Sequence, residues 1–113
     1  MTGQEVIDRA WSMVQDTEST KRNPVAVMVG FLNDGIEDVL SRRPALRLAD
    51  DGSVATFSRL ISATVASADL PVGYAYLEPL AHYLAHRVFE LDADDEHNAG
   101  LSASHFRRYM EAT

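Results

Sequence analysis

A mostly α fold, a small bundle of about four helices with a short β-hairpin-like or irregular middle segment, is the class that this sequence predicts. Three observations predict it. Apolar residues recur at three- and four-residue steps along most of the chain. Helix start and stop signals punctuate those stretches, at Asn23-Pro24, at Ser41–Pro44 and at Asp92–Glu96. Residues 45–73 have the weakest helical patterning, and a length of 113 residues fits a single domain, 1–113.

The first helix is predicted over Gln4–Asp16, where Val6, Ile7, Ala10, Trp11 and Val14 make one apolar stripe. Thr2 precedes it as N-cap, with Glu5 at capping-box spacing. The polar run Asp16–Asn23 reads as a loop. Asn23 then caps a second helix with Pro24 in its first position, where a missing N–H costs nothing. Val25, Met28, Val29, Leu32, Ile36, Val39 and Leu40 give that helix a wide apolar face. Gly30 and Gly35 weaken it and allow close packing, or a bend at Asn33-Asp34-Gly35. Pro44 stops it by disfavouring helical geometry at Arg43.

In the middle segment Leu46–Leu48 alternates like a strand, Asp50–Ser53 is a turn signal and Val54–Phe57 reads as the returning strand. A short helical or extended stretch follows to Asp69-Leu70-Pro71. The third helix spans about Tyr74–Leu91 on the stripe Leu77, Leu80, Ala81, Leu84, Val88 and Leu91, with Pro79 in its first turn. The fourth begins within Asp92–Glu96, where acids favour the positive helix start, and continues to Tyr109. Their short connection predicts an antiparallel pair.

Composition narrows the function. No cysteine is present, which removes disulfides and thiolate metal sites. No stretch is apolar enough to span a membrane, and the start MTGQEVIDRA lacks a signal-peptide pattern, so the chain is expected to remain where it is made. The net charge of −7 is uneven: residues 1–48 balance to −1 and residues 49–113 to −6. Such a chain does not grip DNA, since that affinity rests on cations, but it suits a path along which DNA slides.

No nucleophile elbow, phosphate loop or catalytic triad stands out. Glu78, His82, His86 and Glu90 stand at four-residue steps on one helical face. Imidazole with carboxylate is a donor set for zinc or another transition ion, although the spacing is not HExxH. The plainer reading is a polar stripe, and with His97 and His105 on the fourth helix it makes a histidine-rich interface sensitive to pH. Asp92, Asp94, Asp95 and Glu96 do not have EF-hand spacing, and helix-start electrostatics account for them. Arg42, Arg43 and Arg47 form one basic cluster, and Arg107 and Arg108 a second. Either complements a helix C-terminus or binds an acidic partner.

One resemblance covers most of the chain. The amphipathic first helix, Phe31-Leu-Asn-Asp-Gly35 within the second, the Ser-Arg-Arg-Pro44 stop and the final pair carrying Leu77, Tyr83, Arg87, Phe89, Asp92, Asn98, Ala99, His105 and Phe106 are together similar to the head–tail connector, or head-completion adaptor, proteins of tailed bacteriophages. Residues 45–68 match poorly, and the chain is shorter than relatives with a fuller sheet-like insertion. The resemblance implies a non-enzymatic helical protein without a cofactor, made in the host cytoplasm and located in the neck of the virion. It implies a homo-oligomeric ring, commonly of about twelve copies, bound to the portal protein and to a downstream neck or tail protein, with DNA passing through. On this reading Arg42, Arg43, Arg47, Arg107, Arg108 and Tyr109 are the expected partner-contact residues. The alternatives are a metal-binding helical protein using Glu78, His82, His86 and Glu90, or a small helical regulator that binds a protein.

Overall fold

A computed structural model describes residues 1–48 and 51–113. The described residues form a helical bundle: α1 (Gly3–Met13), α2 (Val25–Arg42), α3 (Leu77–Glu90) and α4 (Glu96–Ala112). Single 3-10 turns at Pro44–Arg47 and Tyr74–Tyr76 flank the long connection between α2 and α3.

The start of α1 follows from its cap, because the Thr2 hydroxyl accepts the Glu5 N–H. Its end comes three residues before the expected Asp16. Gln15 adopts φ 59°, in the left-handed region, and turns the chain out of the helix. Buried Asp16 stabilises that exit by accepting the Arg22 and Asn23 backbone N–H groups at 3.2 and 2.9 Å. Asn23 is therefore not the helix cap. Its side-chain amide donates to Asp16, and Pro24 holds the N-cap position without a side-chain bond.

α2 runs unbroken through Asn33-Asp34-Gly35. The expectation of close packing holds at Gly35, where a Cβ would lie 2.7 Å from the Tyr83 ring, and fails at Gly30, where it would meet nothing within 4 Å. Pro79 is the third residue of α3, inside the first turn, so no ladder bond is lost. Asp95 caps α4 by accepting the His97 and Asn98 N–H groups. The two last helices are antiparallel, since His82 meets His105 and His86 meets Ser102.

α3 is the central helix and touches the other three. Val6, Ile7 and Ala10 of α1, Met28, Leu32 and Ile36 of α2, and Leu80, Ala81 and Leu84 of α3 are fully buried together. α4 reaches this core through Tyr109. Its buried residues are only Ser102 and Tyr109.

The expected hairpin shrinks to one antiparallel bridge, Leu48 to Val54, with the Ala55 N–H donating to the Arg47 carbonyl. Leu46 and Arg47 belong to a 3-10 turn instead of a strand, because Pro44 at its start suits that turn. Of the expected turn Asp50–Ser53, Asp50 lies outside the described residues; the Asp51 carboxylate accepts from the Ser53 N–H and hydroxyl. Residues 61–68 make isolated helical turns without joining into a helix. This stretch straps the start of α1. Val65 accepts the Gln4 N–H, Thr2 bridges Asp69, and Leu70 donates to the Met1 carbonyl.

Candidate functional site

The sequence Asn33-Asp34-Gly35 builds a hub from three different chemistries. Asn33 is buried, and its amide pairs with the Leu60 backbone in both directions: it donates to the carbonyl at 2.9 Å and accepts the N–H at 2.8 Å. The middle segment is thereby fastened to α2. Asp34 accepts from Arg87 of α3 at 2.8 Å and from Arg59 of the middle segment at 3.1 Å. Burial pushes the Asp34 carboxyl up, but the hydrogen bonds from Arg87 and Arg59 outweigh it and leave the group below its ordinary value. Gly35 admits the Tyr83 ring, and its carbonyl lies 3.4 Å from the Tyr109 hydroxyl.

A polar seam continues along the junction of α2, α3 and α4. Arg87 also donates to the Tyr83 hydroxyl at 2.9 Å and lies over the Phe31 ring. The Tyr109 hydroxyl donates to Asp38, and burial followed by this carboxylate pushes its own ionisation far up. Arg42 closes the seam by donating to Asp38 at 3.1 and 2.9 Å and to the Thr113 hydroxyl at 2.6 Å.

These contacts redistribute the expected partner residues. Tyr109 is fully buried, so it is an anchor of α4 and presents no surface to a partner; the register of α4 turns it inward onto α2 and α3. Arg42 and Arg43 are exposed but each donates to Thr113, Arg43 through Nε to its carbonyl at 2.7 Å, and so they join the end of α2 to the end of α4. Arg47 is half-buried against Leu46, Leu48 and Phe57, and its Nε has no hydrogen-bond partner among the described residues. Arg107 and Arg108 are exposed on α4 and make no ion pair among the described residues. They remain the cations most available to a partner.

The stripe Glu78, His82, His86 and Glu90 does not gather into one coordination site. Glu78 pairs with Arg9 of α1, which holds its carboxyl below the ordinary value. His82 Nδ1 faces His105 Nδ1 at 2.8 Å, with 5.1 Å between ring centroids, so the two rings meet head to head in a hydrogen bond. His86 Nδ1 faces the Ser102 hydroxyl at 2.9 Å, and its Nε2 lies 3.4 Å from Glu90. Among the described residues no three metal-ligating side chains converge. His97 is exposed at the start of α4 and lines a groove shared with His105, Arg22 and Phe89.

Sequence reasoning missed the double role of Asn33 and the Asp34–Arg87–Arg59 junction. The motif that contains them was visible, but their partners lie 25 to 53 residues away in the chain. The surface also carries Leu48, Val54, Ile61 and Tyr74 at 58–68% exposure, all in the connection between α2 and α3. Leu91, at the α3–α4 turn, is equally open at 65%. In comparisons with protein-family models, curated proteins and solved structures, nothing matches this chain.

Proposed function

We propose that this protein is a head–tail connector of a tailed bacteriophage, a non-enzymatic adaptor that forms a ring beneath the portal and joins the DNA-filled head to neck or tail proteins. The observation that carries this reading is a division of labour within the chain. The residues that carry the resemblance form a locked frame: Asn33, Asp34, Gly35, Tyr83 and Arg87 are joined across α2, α3 and the middle segment. The connection between α2 and α3 instead presents large apolar side chains to solvent. A frame with an exposed apolar loop suits a protein whose work is binding, because covering that loop supplies the favourable burial. The acidic balance of −7 suits a channel lining over which DNA slides without adhering. Arg107 and Arg108 offer cations for an acidic partner face.

The test is to mix the purified protein with the portal ring encoded beside it and to follow the mixture by mass photometry and electron microscopy. A discrete added ring at one end of the portal is the expected result, and it gives the copy number. Absence of binding, together with virions that lack the protein, would overturn the reading.

A further inference from the structure

The Nδ1 atoms of His82 and His105, 2.8 Å apart, share one hydrogen. One imidazole donates through Nδ1–H, and the other must carry its proton on Nε2 and accept through a bare Nδ1. A single added proton is tolerated, because an imidazolium donates to the remaining neutral ring. A second added proton leaves two N–H groups pointing at each other between two positive rings. The contact then has no acceptor.

The neighbouring pair behaves differently. The Ser102 hydroxyl donates its one hydrogen to the His86 carbonyl at 3.0 Å, so it accepts from His86 Nδ1–H. The Nε2 of His86 faces Glu90, and protonation there gives that carboxylate a donor. His86 therefore keeps its contacts in acid, and only the His82–His105 pair loses its own.

The charges around the pair oppose a second proton. Arg9 of α1 and Arg108 of α4 act on His82, and Arg108 and His86 act on His105. Arg22 of the α1–α2 loop and His97 of α4 line the groove beside His105. Glu78 is the carboxylate that favours a charged His82, and it is engaged by Arg9. Burial, then Arg108, lowers the His82 ionisation; burial, then His82 itself and Arg108, lowers that of His105. α4 is held elsewhere at Ser102 by His86 and at its C-terminal end by Tyr109 on Asp38 and by Arg42 and Arg43 on Thr113, so the His82–His105 contact secures the turn around His105.

We infer that His82 and His105 form a one-proton latch between α3 and α4, closed at neutral pH and opened when both imidazoles are protonated, which loosens α4 around His105 while its Ser102 and Tyr109 contacts hold. The sign follows from linkage. A histidine whose folded-state ionisation lies below its ordinary value of 6.5 contributes its full stability above that pH. The contribution falls as the pH drops below it, where the unfolded chain takes up the proton first. This inference does not depend on the connector reading.

Hydrogen exchange of the backbone amides at neutral and mildly acidic pH, corrected for intrinsic rates, tests the latch. Protection within α4 is expected to fall by at least about tenfold on acidification while that of α2 is kept. In His105→Asn, whose amide neither titrates nor lacks an acceptor, the fall should disappear; His82→Asn provides the same readout from the other side. Unchanged α4 protection in the unaltered protein, or an equal fall in both variants, would overturn the inference. Nitrogen NMR of the imidazoles supplies a measurement without substitution. Two separated protonation steps, with α4 moving only at the second, are expected, and independent single-step titration of both rings contradicts the latch.

Discussion

At the scale of single residues, the hub on α2 shows how three adjacent side chains serve unrelated ends. Asn33→Ala leaves the Leu60 N–H and carbonyl without partners, and a loss of about 2–3 kcal/mol is expected in urea unfolding. The two glycines of α2 should respond in opposite directions. Gly35→Ala drives a methyl into the Tyr83 ring and should cost about 1–3 kcal/mol. Gly30→Ala meets open space and should gain about 0.5–1 kcal/mol through helix propensity. Sequence patterning recognised both glycines as packing candidates but did not separate them, because the difference is made by a ring on another helix. Asp34 adds a pH signature. Its carboxyl lies below the ordinary value in the folded protein, so its contribution is complete above that ordinary value and is lost as the pH falls through the folded one. Asp34→Asn should remove that part of the acid limb of an unfolding curve measured against pH.

At the scale of elements, what was legible followed helical periodicity. The four helices, the Thr2 cap, the Pro79 position and the acidic start of α4 were all readable from spacing and capping chemistry. The end of α1 was not, because Gln15 turns in the left-handed region and no glycine marks the place. The middle segment was also unreadable in detail, since its order comes from Asn33 and the start of α1 and not from its own pattern. For a related reason core and interface could not be told apart at Tyr109: a tyrosine at the end of an amphipathic helix looks the same whether it faces a partner or its own core. Tyr109→Phe removes a hydrogen bond to a carboxylate and should cost about 1.5–3 kcal/mol, measured by urea unfolding. Asp95→Ala unpairs two N–H groups at the start of α4 and should cost about 1 kcal/mol, with faster amide exchange confined to the first turn of that helix.

At the scale of the whole molecule, cations divide into those that hold the fold and those that face outward. Arg42, Arg43, Arg59 and Arg87 are engaged internally, whereas Arg107 and Arg108 project from α4. The double substitution Arg107→Glu with Arg108→Glu should leave stability within about 0.5 kcal/mol, as for exposed sites generally. On the connector reading it should weaken binding to the portal by at least about tenfold, read by titration of portal rings. Unaltered binding would move the partner contact to the apolar connection around Leu48, Val54 and Ile61.

The central position of α3 also bears on the order in which the protein is made. α1 and α2 leave the ribosome first, but the helix against which both pack is encoded from Leu77 onward. The apolar faces of the first two helices are therefore only partly covered, by each other and by the middle segment, until translation has passed residue 90. A pause or truncation before that point releases a sticky half-protein, and one placed after it releases a chain whose core lacks only what α4 adds through Tyr109 and Phe106.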